Sequence, residues 1–452
     1  MNPLNSFRSR ETGCDRRSVA AKRLAGAALA SLLLSTSVTV NAAESPKYEW
    51  SGEWNLRFEN LVNPLFPTTS PSFHQHNQRL SSKFELKGSV TWSNIQLVGA
   101  FADSRVYLDN DDPTLGRSQV NTLEPVQFNV GWLGDGDKGN PALQMTKTSV
   151  GRFVLDHGSR RLLGSGYFRN ALNSFDGLIT DWHWRDWSVR GFYLHPVSRL
   201  PSDAASIDNN DRAFDKTESE RLFYGVYAES DDKTWHLQSY WLNEDDSQEL
   251  RTRNRQLLTV SAQYTSPKGS EWLTDVELAL QTGTQRQTTS ASDLTDLDHQ
   301  AWMLFASFGK MIDSKTSLSA VLDWISGDNN SSDNKSNGFD GLYGVRRFDF
   351  GPTEVYRSFP RQNLVGIGAR MVSKFTSKDN LMLHYGAYWY QKTPNGSDSF
   401  LGNQIEMRWR HQITKPLRLE FGSAYMFKGD ALAQGNYPDD TAYVYSGFRL
   451  QF

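Results

Sequence analysis

The sequence predicts an all-β protein, a transmembrane antiparallel β-barrel of about 16–18 strands with short turns at one end and long loops at the other. Three observations carry this expectation. Apolar and polar side chains alternate with a period of two over segments of ~10 residues. These segments run through the whole chain after its N-terminal stretch, with no second composition regime. Their polar faces carry arginine, glutamate and lysine in quantity, more than a buried core tolerates. A soluble β-sandwich or β-helix shares the first property but not the other two.

The N-terminal stretch has a different character. Arg8, Arg10, Arg16, Arg17, Lys22 and Arg23 precede an apolar run from Leu24 to Val40, and Val40-Asn41-Ala42 forms an A-x-A-like cleavage site. Residues 1–42 therefore read as a secretory signal peptide, and 43–452 as the barrel domain. Asp15 before the Arg16-Arg17 pair and Ser18-Val19 after it match a twin-arginine signal poorly, so Sec export is expected. Cys14, the single cysteine, lies in the removed segment, which leaves no disulfide and no thiolate metal site.

The chain has 48 basic and 51 acidic residues; residues 1–42 hold six of the basic and two of the acidic ones, so the mature chain has 42 and 49, a net of −7. This argues against nucleic acid as a partner. Any preference for anions must come from where the arginines sit. Beyond the signal peptide no run reaches the ~18 apolar residues of a membrane-spanning helix. The mean hydropathy of −0.58 resembles that of a soluble protein, because every second barrel residue faces water. An aromatic content of 12%, with 14 Trp, fits the interfacial girdles of a barrel.

The strands follow in order. Tyr48, Trp50, Gly52, Trp54, Leu56 and Phe58 alternate with Glu49, Ser51, Glu53, Asn55, Arg57 and Glu59. Leu80, Ser82, Phe84 and Leu86 alternate with Arg79, Ser81, Lys83, Glu85 and Lys87, and a partner from Ile95 to Ala102 follows a tight turn. Trp272, Thr274, Val276, Leu278 and Leu280 oppose Asp275, Glu277 and Gln281. Leu381, Leu383, Tyr385, Ala387 and Trp389 form one face. Ile405, Met407 and Trp409 oppose Gln404, Glu406, Arg408 and Arg410, and Leu417, Leu419, Phe421 and Tyr425 oppose Arg418 and Glu420. In the last strand Ala442, Val444, Ser446, Phe448, Leu450 and Phe452 face lipid, and Tyr443, Tyr445, Gly447, Arg449 and Gln451 face water. A strand ending in an aromatic residue resembles the assembly signal of bacterial outer-membrane barrels. Short connections fall at Trp92-Ser93-Asn94, Arg185-Asp186 and Ser230 to Lys233. Long polar ones fall at Asp103–Leu123, Pro201–Glu218, Thr282–Asp298, Gly327–Phe339 and Gly429–Asp440.

No specific catalytic constellation stands out. Gly164-Ser165-Gly166 is not a nucleophile elbow, and neither a phosphate-binding loop nor an H-E-x-x-H pair occurs. His74 and His76 have strand spacing that suits a metal, but such a pair is more often a solvated loop feature. Asp328, Asn329, Asn330, Asp333 and Asn334 lack the glycine and the twelfth-position glutamate of an EF-hand. No cofactor, no metal and no enzymatic activity are expected.

The stretch Val150-Gly151-Arg152-Phe153-Val154-Leu155-Asp156-His157-Gly158-Ser159-Arg160-Arg161-Leu162-Leu163-Gly164, continuing through Phe168-Arg169-Asn170 to Phe175-Asp176-Gly177, resembles the alginate export family of outer-membrane porins. Trp324-Ile325-Ser326-Gly327-Asp328 with Phe339-Asp340-Gly341-Leu342-Tyr343-Gly344, and Phe427-Lys428-Gly429-Asp430-Ala431, extend the resemblance over most of the mature chain. It implies a monomeric barrel of about eighteen strands that passes anionic polysaccharide outward through an arginine-narrowed lumen guarded by folded-in loops. Implied partners are the polysaccharide or its oligosaccharides, outer-membrane lipid and lipopolysaccharide, and periplasmic export proteins. A polyuronate carries one carboxylate per sugar, and guanidinium is a planar donor that binds carboxylate bidentately.

The candidate pore residues are Arg152, Arg160, Arg161 and Arg169, with Asp176 as an orienting partner. Arg346 and Arg347 follow the Phe339-Asp340-Gly341 match. Arg408, Arg410, Arg418 and Arg449 are lumenal by alternation. For each, bracing of the wall by an Arg–carboxylate pair is the alternative. Arg418 followed by Glu420, with Glu406 on the neighbouring strand, mixes the charge where the family's strand can carry two basic residues. A general or nutrient-uptake porin therefore stays open beside the export channel. A barrel lipase or protease is the reading from another class; it needs a rim Ser–His or Asp–His set.

Overall fold

The computed structural model describes residues 45–65, 74–110, 112, 115–135, 142–247, 250–330, 332–352, 359–393, 397–433 and 439–452. The expected signal peptide lies outside them. The barrel strands are Lys47–Val62 (β1), His76–Trp92 (β2), Ile95–Tyr107 (β3), Asn121–Leu133 (β4), Gln144–Phe153 (β5) and Phe175–Trp184 (β6). Then come Trp187–Ser198 (β7), Arg221–Ser230 (β8), Trp235–Glu244 (β9), Gln256–Thr265 (β10), Trp272–Gln285 (β11) and Leu297–Met311 (β12). The last six are Thr316–Ile325 (β13), Leu364–Ser373 (β14), Asp379–Trp389 (β15), Phe400–Gln412 (β16), Leu417–Lys428 (β17) and Thr441–Gln451 (β18).

Each strand pairs antiparallel with the next, and β1 closes on β18 in register from Glu53↔Gln451 to Val62↔Ala442. The result is a closed barrel of eighteen strands. Just past the end of β18, Phe452 exchanges backbone hydrogen bonds of 2.7 and 3.0 Å with Gly52 of β1. The Phe452 ring lies across Gly52 between Trp50 and Phe84. No helix among the described residues is long and apolar enough to cross a membrane; the strands do the crossing.

Side-chain alternation sets the two faces. Trp50 and Trp272 on the outside are 70% and 65% exposed, while Glu277 and Gln281 on the inside are 0% and 4% exposed. Connections at the β1 N-terminal end are short: seven of the eight have six residues or fewer, and Ser93 and Arg185 in the two-residue turns take left-handed φ of 53°. All nine connections at the opposite end have ten residues or more. In barrels of this class the short-turn end is periplasmic.

Described residues of two of the long connections fold into the lumen. One, 154–174, joins β5 to β6; the other, 326–363, joins β13 to β14 and is far longer than the Gly327–Phe339 loop expected from the sequence. The difference has a physical cause. Leu342, Tyr343, Val345 and Phe350 look like strand material but pack inside the barrel, where the short helix Arg347–Phe350 forms. Leu162, Leu163, Phe339, Phe350 and Phe359 meet lumenal Phe175, Phe223, Tyr240, Met303 and Tyr388 in one apolar cluster. Alternation predicts a wet interior throughout; here part of it is a packed core.

The motif glycines explain the strand ends that launch the first inward loop. Gly151 and Gly177 are register partners on β5 and β6, with φ of 134° and 155°. A Cβ on them would sit 2.2 Å from the Phe128 carbonyl oxygen and 2.1 Å from that of Tyr193. Neither backbone can yield, so Gly151→Ala or Gly177→Ala is expected to destabilise the barrel by about 1–3 kcal/mol. Refolding into detergent and scoring the heat-modifiable folded band on a gel checks this; wild-type yield from both variants would refute it.

Candidate functional site

The inward loops are built as one unit. Leu163 and Tyr343 form a parallel bridge, Tyr343 N–H donates to Leu162 at 3.1 Å, Gly164 N–H to Tyr343 at 3.1 Å, and Val345 N–H to Arg160 at 2.9 Å. A buried ionic hub fastens this unit to the wall. Arg161 donates to both Asp349 oxygens at 3.1 and 3.0 Å and to Glu277 on β11 at 2.9 Å, with Asp275 at 3.4 Å. Arg361 reaches Asp349 at 2.7 Å. The Arg161 guanidinium also lies 3.4 Å over the Phe305 ring. Asp340 of the Phe-Asp-Gly motif is gripped by Arg255 at 2.6 Å. Burial alone would raise that carboxyl; Arg255 outweighs it and holds it below the usual range.

His157 anchors the start of the first loop. Its ring stacks on Tyr227 at 4.4 Å, and Nδ1 lies 2.8 Å from the Tyr240 hydroxyl, while Nε2 is buried with no partner among the described residues. Burial pushes its imidazole well below the ordinary value, and Arg190 adds to the effect.

Beneath this unit, toward the short-turn end, lies a cavity of about 250 Å³. Its position follows from its walls. Arg410 sits near the end of β16, Arg418 near the start of β17, and Arg449 near the end of β18. Arg408, Arg160, Arg169 and Arg347 complete the set of expected residues found here; Arg57 and Lys83 join them. In all, nine lining side chains are basic and two, Asp156 and Glu420, are acidic. Carboxylates pair with several of the cations: Glu406 is 2.6 Å from Arg347, Glu420 is 2.6 Å from Arg410 and 3.8 Å from Arg418, and Glu53 pairs with Arg449. The Nε atoms of Arg347, Arg408 and Arg418 are buried and have no hydrogen-bond partner among the described residues.

Four expected residues are not among the lining residues. Arg152 braces β4 to β6, donating to Glu124 at 2.8 Å and bidentately to Asp176 at 2.8 and 3.0 Å. Arg161 belongs to the hub, and Arg346 donates to the Phe359 carbonyl at 3.1 Å. Sequence reasoning left out Arg57 and Lys83, although alternation puts both on the polar face, and Tyr167 and Phe168, for which no periodic signal exists.

The opposite end of the lumen holds a larger hollow, about 670 Å³, lined by Arg253, Lys335 and Lys392 against Asp328, Asp398 and Asp430. Its charges balance. Among the described residues no group of three His, Cys, Asp or Glu side chains is arranged to hold a metal ion.

The hub generates one expectation and His157 another. Arg161→Met leaves Glu277 without a cation and Asp349 with Arg361 alone, a loss of about 3–5 kcal/mol. Proteolysis within 154–174 and a rise in single-channel conductance should report it, and unchanged values of both would count against the hub. The His157 imidazole is held neutral in the fold, so its contribution is complete above about pH 6.5 and is lost as the pH falls below that value. Loop proteolysis should therefore rise from pH 7 to pH 5 in the wild type and rise less in His157→Gln.

The alginate export family model matches residues 55–444. No curated protein matches the chain in sequence. Among solved structures, Pseudomonas aeruginosa OpdK with vanillate aligns over 89% of this chain and 99% of its own at 12% identity and a TM-score of 0.55. Acinetobacter baumannii OccAB3 aligns over 89% and 100% at 11% identity and 0.57. A BenF-like porin from Pseudomonas fluorescens aligns over 90% and 99% at 12% identity and 0.57. At such identities the likeness is one of fold, an outer-membrane porin barrel closed as here. With the family match spanning β1 to β18 and carrying the Gly151-Arg152, Phe-Arg-Asn and Phe-Asp-Gly segments, the chain belongs to the alginate export family of bacterial outer-membrane channels.

Proposed function

We propose that this channel passes an anionic polysaccharide such as alginate, and that the polymer's carboxylates are met by the basic cavity at the short-turn end. One observation carries the reading. Nine basic and two acidic side chains line that cavity, in a chain whose expected mature form is net acidic. Low-dielectric walls focus the field of such a cluster and raise the local concentration of a polyanion. The guanidinium groups lining the cavity suit carboxylate oxygens, which accept charge-assisted hydrogen bonds. Sharing several cations among successive carboxylates lets a chain slide, because no single site holds it fast.

A second reading, uptake of small organic anions, is favoured by the inward loops, which leave less room than an open eighteen-strand barrel would. OpdK, crystallised with vanillate, shares the fold. Size of the permeant separates the two readings.

In planar bilayers the purified protein should be anion-selective, and oligouronates should block it more strongly from the short-turn side than from the other. Arg408→Gln should weaken that block about tenfold, the equivalent of a charge-assisted hydrogen bond of roughly 1.5 kcal/mol. Cation selectivity without block would defeat the anion reading. Permeation by monomeric carboxylates with no effect of longer oligomers would favour uptake.

A further inference from the structure

Four residues at the tip of the first inward loop, Gly166 to Arg169, face the basic cavity. Their backbone is clamped on both sides. Asp156 accepts from the Ser165 amide at 2.7 Å and from its hydroxyl at 3.1 Å. Asn170, buried, points its carboxamide nitrogen at the carbonyls of Ser82, Arg105 and Gln119 at 3.0, 2.9 and 2.9 Å. Between the clamps Gly166 takes φ of 72°, and Tyr167 and Phe168 follow it into the cavity.

Each of these two rings carries two cations. The guanidinium groups of Arg57 and Arg347 lie 4.3 and 4.6 Å from the Phe168 centroid. The Lys83 ammonium and the Arg449 guanidinium lie 3.7 and 5.1 Å from the Tyr167 centroid. Four of the nine cavity cations thus rest on two neighbouring side chains. Three of them are also held from behind, Arg57 by Glu59, Arg347 by Glu406 and Arg449 by Glu53. Lys83 has no carboxylate partner among the described residues; its ammonium donates to the Tyr167 carbonyl at 3.1 Å.

An aromatic face attracts a cation through its quadrupole and has no net charge of its own. A carboxylate in the same place would attract more strongly and cancel a charge. An aliphatic side chain would cancel nothing and attract nothing, leaving like charges to swing apart toward the wall acids. We infer that Tyr167 and Phe168 are positioning residues for anion transport, uncharged spacers that keep four like charges side by side without neutralising them. The inference rests on the reading of this cavity as the anion path.

The test separates ring chemistry from bulk. The double variant Tyr167→Leu/Phe168→Leu keeps most of the volume and removes both faces; Tyr167→Phe and Phe168→Trp keep the faces. Each is first checked for heat-modifiable folding, with Phe168→Met in place of the leucine if assembly fails. The double leucine variant should shift the reversal potential toward zero and weaken oligouronate block about fivefold or more, as expected for losing exposed cation–π contacts. The aromatic variants should match the wild type in both. Wild-type selectivity and block in the double leucine variant, or equal losses in Phe168→Trp, would overturn the spacer role while leaving the anion path standing. A wild-type channel with no anion selectivity would overturn both.

Discussion

In hydrocarbon a backbone amide without a partner costs several kcal/mol, and no water is present to supply one. The ladder between β1 and β18 is therefore the contact on which the rest depends. It joins residues almost four hundred positions apart and leaves no free edge. Once it closes, every strand has two neighbours, the period of two becomes an inside and an outside, and each side chain's solvent is fixed by its parity. The tryptophans and leucines outside and the charged side chains within follow from that single condition.

What the barrel does with its interior is less uniform than parity suggests. An eighteen-strand cylinder encloses more space than side chains from its own wall can fill. This chain fills part of it with two of its own loops, and the wall answers with apolar residues where they dock. Charges inside are sorted by depth. In the hub, arginines and carboxylates meet within hydrogen-bond distance and are sealed from water. In the cavity below, cations outnumber carboxylates on the lining by nine to two. An acidic chain can thus present a basic surface, because placement and not the total decides the local field.

Much of this was legible in the sequence. Alternation located β1, β2, β11 and β15 to β18, gave the right faces and placed Arg408, Arg410, Arg418 and Arg449 in the lumen. The same parity puts Arg57 and Lys83 on the polar face. What alternation could not give is the filling. On β12, Ala301, Met303 and Phe305 face inward while Trp302 and Leu304 face the other way, so both faces are apolar and the rule is silent about which one meets protein. Nor could spacing distinguish Arg160, at the cavity, from its neighbour Arg161, sealed in the hub. One residue of loop turns the side chain from water to Asp349, and that turn depends on a segment nearly two hundred positions away.

The bridge between Leu163 and Tyr343 sets how that filling can change. Because each inward segment supplies the other's backbone partners, neither can withdraw alone without stranding amides of both. An arrangement with one segment out and one in would therefore be the costly one, since both would carry unpaired backbone groups. An insertion or loss at residues 160–164 would likewise break the pairing with 343–345 unless it were matched there.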